Sequence, residues 1–314
     1  MSDALDVVTF GEAMVMLVAD KPGPIEHVQT FYKRTAGAET NVAIGLARLG
    51  FAVGWASRLG ADSLGRYLLT ELQNEGVDCS HVLSEPGQRT GMLFKGRVTD
   101  GSDPPVEYHR KGSAASRMRV EDIDEPWLCS ARHLHSTGVF AAISDSCHEV
   151  SLRTMALMRD AGKTVSFDPN LRPTLWASTE VMRTQINQLA FAADWVLPGL
   201  EEGSLLTGYT APEDIARFYR DHGTKLVIVK LGAQGAYYDS GDEQAYVPGV
   251  LVHKIADTVG AGDAFAVGVI SALLEGQSVR RAVERGAWIG AQAVQVLSDT
   301  DGLPSRQELE RFSR

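Results

Sequence analysis

Short apolar runs that alternate with amphipathic segments restrict the fold of this chain more than any other feature. The runs VVTFG (7–11), VGWASRLG (53–60), RHLHSTG (132–138), TVSFDPN (164–170), WVLPG (195–199) and KLVIVKLG (225–232) each close on a glycine or a polar residue. Between several of them lie ETNVAIGLARLG (39–50), LGRYLLTELQNEG (64–76), HEVSLRTMALMRDAG (148–162) and APEDIARFYRDHG (211–223). The last two space their apolar residues at helical intervals and stop on glycine, which tolerates the left-handed conformation that ends many helices. Strands that alternate with helices need crossover connections, so the expected class is α/β with a parallel sheet. In such sheets ligands gather at the carboxyl ends of the strands.

Two stretches break the alternation. Residues 13–36 hold PGPIE and VQTFYKR, and residues 89–111 read RTGMLFKGRVTDGSDPPVEYHRK, a hairpin pattern with a Gly/Asp/Pro loop. Neither shows a helical period. Together they predict a small β-rich unit inserted twice into an α/β body made of residues 1–12, 37–88 and 112–314. Such a unit is either an inert decoration or a lid that closes over a reactive site and excludes water.

Bulk charge narrows the partners. The 314 residues carry 30 Lys plus Arg against 40 Asp plus Glu, so formal charge is 30 − 40 = −10. That field disfavours nucleic acid and anionic membrane, and an anionic substrate would need a local basic cluster. Cys79, Cys129 and Cys147 stand far apart without a CxxC, which argues against a disulfide framework or structural zinc and for a reducing cytoplasm. The opening MSDALDVVTF lacks signal-peptide character. The most apolar run, AFAVGVISALL, is about half the length of a membrane span.

The stretch DTVGAGDAF (257–265) sets a carboxylate beside a glycine-rich turn at the mouth of a helix. A helix starting near Gly262 leaves the first amides, at 261–263, without intrahelical acceptors. Glycines let a phosphate approach that backbone, and the helix dipole favours negative charge there. Asp263 then projects toward the same point. Oxyanion donors and a proton acceptor facing one spot are the equipment for phosphoryl transfer to an alcohol. The plain alternative is an acid in a first turn that merely favours the dipole. A dinucleotide fingerprint lacks its third glycine, and no GxxxxGK[ST] P-loop exists.

The surrounding motifs add context. TAGAETNVAIGLARLG (35–50), SRLGADSLGRYLLTELQNEGVD (57–78), VKLGAQGAYY (229–238) and DTVGAGDAFAVGV occur in that order, and the set resembles the ribokinase-like, or PfkB, family of carbohydrate kinases over nearly the whole chain. The resemblance implies a Rossmann-like three-layer αβα body with a small β-sheet lid, ATP as phosphate donor and Mg²⁺. It leaves open a monovalent cation near Asp257 and Thr258, and it implies a homo-oligomer. Residue by residue, Asp263 resembles the catalytic base, and the amides of Gly260, Ala261 and Gly262 resemble the anion hole. Gly232 and Gly235 resemble the turn bordering the nucleotide, with Lys230 beside the phosphates; the alternative for Lys230 is a strand-end lysine snorkelling to solvent. Gly37 and Asn41 resemble sugar contacts. The chain departs from the family pattern in PGLEEG (198–203), where Gly199 replaces the usual Asn while Glu202 keeps the acidic position near the metal. It departs again at Ala36, which replaces the first of two glycines.

VEYHRKGSAAS (106–116) and FDPNLRPTLW (167–176) are similar to the branch that acts on 2-keto-3-deoxygluconate. Arg110 and Arg172 come from separate segments and could grip a carboxylate, because the planar guanidinium fork matches its geometry. By the same resemblance Tyr108 packs on the carbon chain or bonds a hydroxyl. Asp168 and Asn170 shape the pocket floor, and Val139 lines it. Leu93 stands where that branch often has a tyrosine. The expected activity is phosphorylation of the sugar acid at its 6-hydroxyl. The alternatives are a fructose-, ribose- or nucleoside-type kinase and a non-catalytic sugar- or nucleotide-binding regulator. His109 is a weaker candidate base, and His133 and His135 alternate in a strand without the further ligands of a zinc site.

Overall fold

The structure, a computed structural model, describes residues 4–98 and 104–312. The tip of the expected 89–111 hairpin, residues 99–103, and the extreme ends of the expected body lie outside the described residues. The strands are β1 (Val7–Phe10), β2 (Met14–Ala19), β3 (Phe31–Ala36), β4 (Val53–Gly60), β5 (Val82–Glu85), β6 (Gly91–Lys95), β7 (Val106–His109), β8 (His133–Thr137), β9 (Thr164–Asp168), β10 (Trp195–Val196), β11 (Leu226–Lys230), β12 (Gly235–Asp239) and β13 (Gln244–Pro248). Among the described residues they form a nine-stranded sheet, β13-β12-β11-β10-β9-β8-β1-β4-β5, and a separate four-stranded sheet, β3-β2-β6-β7.

The large sheet is parallel from β11 through β5. Inner strands such as β11 (LVIVK) read as continuous apolar runs because both faces are covered by helices; all four residues of β1 are buried. The expectation of parallel strands fails at one edge, where β12 and β13 run antiparallel. A one-turn connection, Gly232–Gln234, joins β11 to β12, and so short a link cannot make the crossover that parallel neighbours need. Gly235 makes this turn possible: its φ is 105°, and a Cβ there would lie 2.0 Å from the Val247 carbonyl oxygen.

Two apolar cores flank the large sheet. The helix Ala261–Leu274 is buried continuously from Asp263 to Ala272, as its apolar sequence on every face requires. The helix α1 (Ala38–Arg48) packs on it at Gly45, where a Cβ would come within 2.5 Å of Val267 Cγ2. That close approach has a positional result. Asn41 lies one turn before Gly45, and Asp263 lies one turn before Val267. The contact therefore sets Asn41 beside Asp263.

In the small sheet, β2 pairs parallel to β6 and antiparallel to β3, and β6 pairs antiparallel to β7. Strand alternation sorts its side chains into two faces. Met14, Met16, Val18, Ala36, Leu93 and Val106 share the inner face. Phe94 carries the edges of Phe31 and His109 on the outer one.

Candidate active site

A cavity of about 480 Å³ opens between the carboxyl ends of the large sheet and the inner face of the small one. Asp168 is the last residue of β9, Lys230 the last of β11, and Val139 stands two residues past β8; all three line the cavity. Gly37, Asn41, Asn170, Arg172 and Glu202 also line it, as do Gly260, Gly262 and Asp263. Met14, Leu93, Tyr108 and Arg110 enclose it from the small sheet and its margin. Of the expected site residues, Ala261, Gly232 and Gly235 do not line this cavity.

Asp263 occupies the first turn of its helix, behind Gly260 in the left-handed conformation at φ 83°. The Asn41 side-chain amide donates to Asp263 Oδ2 at 2.8 Å, and the Asn170 amide donates to Oδ1 at 3.2 Å. Two donors fix the plane of the carboxylate while it faces the cavity. Burial pushes its pKa up to about 7, Asn41 opposes this, and the neighbouring Asp168 and Asp299 add to it. The acid is thus poised to hold or release a proton near neutrality. Asn41 Oδ1 is buried without a partner, so a hydroxyl entering the cavity would meet an unsatisfied acceptor. Asn170 reaches Asp263 from a strained position, since its φ of 39° is left-handed for a non-glycine residue.

The cations are arranged unequally. Lys230 Nζ lies 2.5 Å from Asp168 Oδ2 and 3.4 Å from where a Cβ on Gly262 would stand. It sits beside the helix amides, as a phosphate neighbour should, but already carries a counter-ion. Burial lowers its pKa; Asp168 and Glu202 more than offset that, so it stays protonated. Arg110, expected to grip a substrate carboxylate, instead turns its fork toward Glu12, with Nε 2.6 Å from Oε2. Arg172 is exposed at the cavity rim and forms no ion pair among the described residues. Tyr108 is about half exposed, with Arg110 on its ring face.

Glu202 uses both oxygens on backbone amides, Oε1 on Leu171 at 2.7 Å and Oε2 on Gly199 at 2.8 Å. Here lies a physical account of the Gly199 departure. A Cβ at 199 would be 3.2 Å from Glu202 Oε2, so the bare glycine lets the carboxylate fold back over its own helix start. Gly37 caps α1 at φ 149°, and a Cβ there would strike the Glu12 carbonyl oxygen at 2.6 Å.

Sequence reasoning missed Glu12, Glu39, Lys95 and Asp299, all of which line the cavity. Glu39 is buried in the first turn of α1, with its pKa pushed by burial to about 8 and Thr137 Oγ1 donating at 2.5 Å. The bare Gly11 makes its space, since a Cβ there would lie 2.3 Å from Glu39 Oε2. Lys95 stands two residues after inward-facing Leu93, so strand alternation alone places it inward. Glu12 and Asp299 carry no periodic signal. His109 packs edge-on to Phe94, away from the cavity. His133 and His135 share the Ser166 hydroxyl inside the sheet, and burial lowers both pKa values, that of His135 to about 3. They are neutral structural groups.

Residues 4–306 match the model of the pfkB family carbohydrate kinases. The chain belongs to this family. It is a kinase, a phosphotransferase with an alcohol group as acceptor. The 2-dehydro-3-deoxygluconokinase of Bacillus subtilis (strain 168) is 49% identical, with 98% of this chain and 95% of that protein covered. The crystal structure of a PfkB protein from Polaromonas sp. JS666 is 66% identical, with a TM-score of 0.91 over 98% of this chain and 99% of that one. A putative ribokinase II from E. coli, solved in complex with ATP and Mg²⁺, shares 28% identity and a TM-score of 0.91, with 98% and 99% covered. The fold is the Rossmann-like ribokinase fold expected from the sequence. Among the described residues no helix is long and apolar enough to cross a membrane.

Proposed function

We propose that this pfkB kinase transfers the terminal phosphoryl group of ATP to the 6-hydroxyl of 2-dehydro-3-deoxygluconate. The observation that carries the reaction is the orientation of Asp263, held by two side-chain amides and turned into the cavity beside the helix amides of 262 and 263; the Ala261 amide donates instead to the Thr258 carbonyl. In the transfer, Asp263 takes the hydroxyl proton as the oxygen forms its bond to phosphorus and the bond to the ADP oxygen breaks. The first-turn amides and the Lys230 ammonium carry the charge that develops on the phosphoryl oxygens. Asn41 Oδ1 accepts from a sugar hydroxyl. Glu39, protonated at neutral pH, keeps a second negative charge away from the incoming anion.

The donor set suits a magnesium ion that arrives with the nucleotide. Among the described residues no group of three or more His, Cys, Asp or Glu side chains forms a metal cage. Mg²⁺ favours phosphate oxygens and water over such cages, and Glu202 at the cavity wall would hold its water shell. Bound there, the ion supplies charge neutralisation for the phosphates. The small sheet, whose inner face encloses the cavity, acts as the lid. The chain works in the cytoplasm, a compartment suited to its three free thiols.

The acid substrate is supported by Arg172, a guanidinium at the cavity rim without an acid of its own among the described residues, and by the name of the Bacillus subtilis relative. Arg110 supports it less directly, since a substrate carboxylate would have to compete with Glu12 for its fork. A panel of acidic and neutral sugars with ATP, read by ADP release, tests the proposal. The highest kcat/KM should fall on 2-dehydro-3-deoxygluconate. A neutral hexose or pentose turned over with higher kcat/KM would overturn it.

A further inference from the structure

Lys95 takes no part in the steps above. It ends β6 in the small sheet, is 2% exposed, and reaches across the cavity to the body. Its Nζ lies 2.5 Å from Asp257 Oδ2 and 3.2 Å from Asp299 Oδ1, and both acids are buried. Burial works against the charges of Lys95 and Asp299, yet Asp299 and Asp257 together outweigh it for the lysine, whose pKa lies above its ordinary value.

What the two acids brace gives the ammonium its meaning. Asp257 Oδ1 accepts the Val259 amide at 3.0 Å, and the Asp257 amide donates to the Val294 carbonyl at 3.3 Å. Asp257 therefore shapes the turn that delivers Gly260 to the helix start. Asp299 abuts the same turn from the other side, since a Cβ on Gly260 would be 3.1 Å from the Asp299 carbonyl oxygen. Gly260 thus sits between two acids, and the charge that joins those acids comes from the other sheet.

We propose that Lys95 is a positioning residue, an internal monovalent cation that locks the 257–260 turn and so sets the first-turn amides when the small sheet is docked. The proposal rests on the phosphoryl-transfer reading of those amides. An ammonium group and a potassium ion share charge and nearly share size. The chain therefore carries its own cation at this point, and turnover needs none from solution.

Wild-type turnover should stay unchanged when potassium is exchanged for tetramethylammonium at constant ionic strength; a loss greater than about threefold would overturn the proposal. This arm needs no variant. Lys95→Met leaves two acids facing each other, so kcat should fall about 100-fold while sugar KM moves less than about threefold. Potassium or ammonium should restore a good part of the loss, and Lys95→Arg should keep most of the activity. Wild-type kcat in Lys95→Met, or a loss that no small cation relieves, would sink the idea. A melting measurement separates this from the kinase reading: potassium should raise the Tm of Lys95→Met and leave that of the wild type unmoved. If the wild type phosphorylates nothing, the kinase reading fails; if the variant's Tm ignores potassium, the Lys95 assignment fails.

Discussion

The two walls of the cavity handle charge differently. On the large-sheet wall, three of the charged groups find their partners on the same wall: Asp263 on Asn41 and Asn170, Lys230 on Asp168, Glu202 on two amides. The other wall supplies cations whose partners lie across the cleft. Lys95 serves Asp257 and Asp299, and Arg110, just past β7, serves Glu12, two residues past β1. One wall holds its own partners; the other pairs its cations with acids across the cleft. Removing one partner from a buried ion pair costs about 3–5 kcal/mol. Any movement that parts the two walls would therefore also expose those acids to water.

The largest effect should come from the large-sheet wall. Asp263→Asn keeps the shape, removes the proton acceptor and can accept from only one of the two amides, Asn41 or Asn170, so kcat should fall about 10³-fold or more while sugar Kd, read by calorimetry, changes much less. Retained turnover would break the base assignment. Lys230→Met should come next. It leaves Asp168 buried without its cation, and chemical denaturation should show a loss of about 3 kcal/mol together with a raised KM for ATP. A stable variant would mean that this wall is less dependent on pairing than the contrast requires. Arg172→Ala should be milder, raising KM for an acid substrate about tenfold with kcat nearly kept, and an unmoved KM would remove its role.

The smallest effect is one of pH, and its sign is fixed. Folding raises the pKa of Asp263 to about 7 and of Glu39 to about 8, so the native state binds protons more tightly than the unfolded chain. The stability this gives is complete below the ordinary carboxylate range and is lost as pH rises through 7 to 8. Tm of the unliganded protein should fall by a few degrees over that window, and Asp263→Asn should flatten part of the fall. Over the same window kcat/KM should rise, because a base must be ionised to accept a proton. Parallel rather than opposed trends would show that a different group limits the rate.

Much of this arrangement was legible in the sequence. Strands such as KLVIVKLG and helices such as APEDIARFYRDHG declare themselves through period and punctuation, and GAGD declares the helix mouth. Alternation from inward-facing Leu93 places Lys95 on the same face, a signal that sequence reasoning missed. What stayed hidden was pairing. Arg110 and Glu12 are 98 residues apart, Lys95 and Asp299 are 204 apart, and no local pattern says that a cation aimed at a site already has a counter-ion there. The antiparallel edge of the sheet was legible in part: the tight glycine turn of VKLGAQGAYY marks β11 and β12 as neighbours, while β13 carries no such signal.

The contact between Gly45 and Val267 carries no functional group, yet it decides how far Asn41 stands from Asp263. Reactivity here is tuned by interhelical spacing. A lineage could adjust the proton affinity of its base through side chains that never meet a reactant, and substitutions there would read as core changes while acting on chemistry.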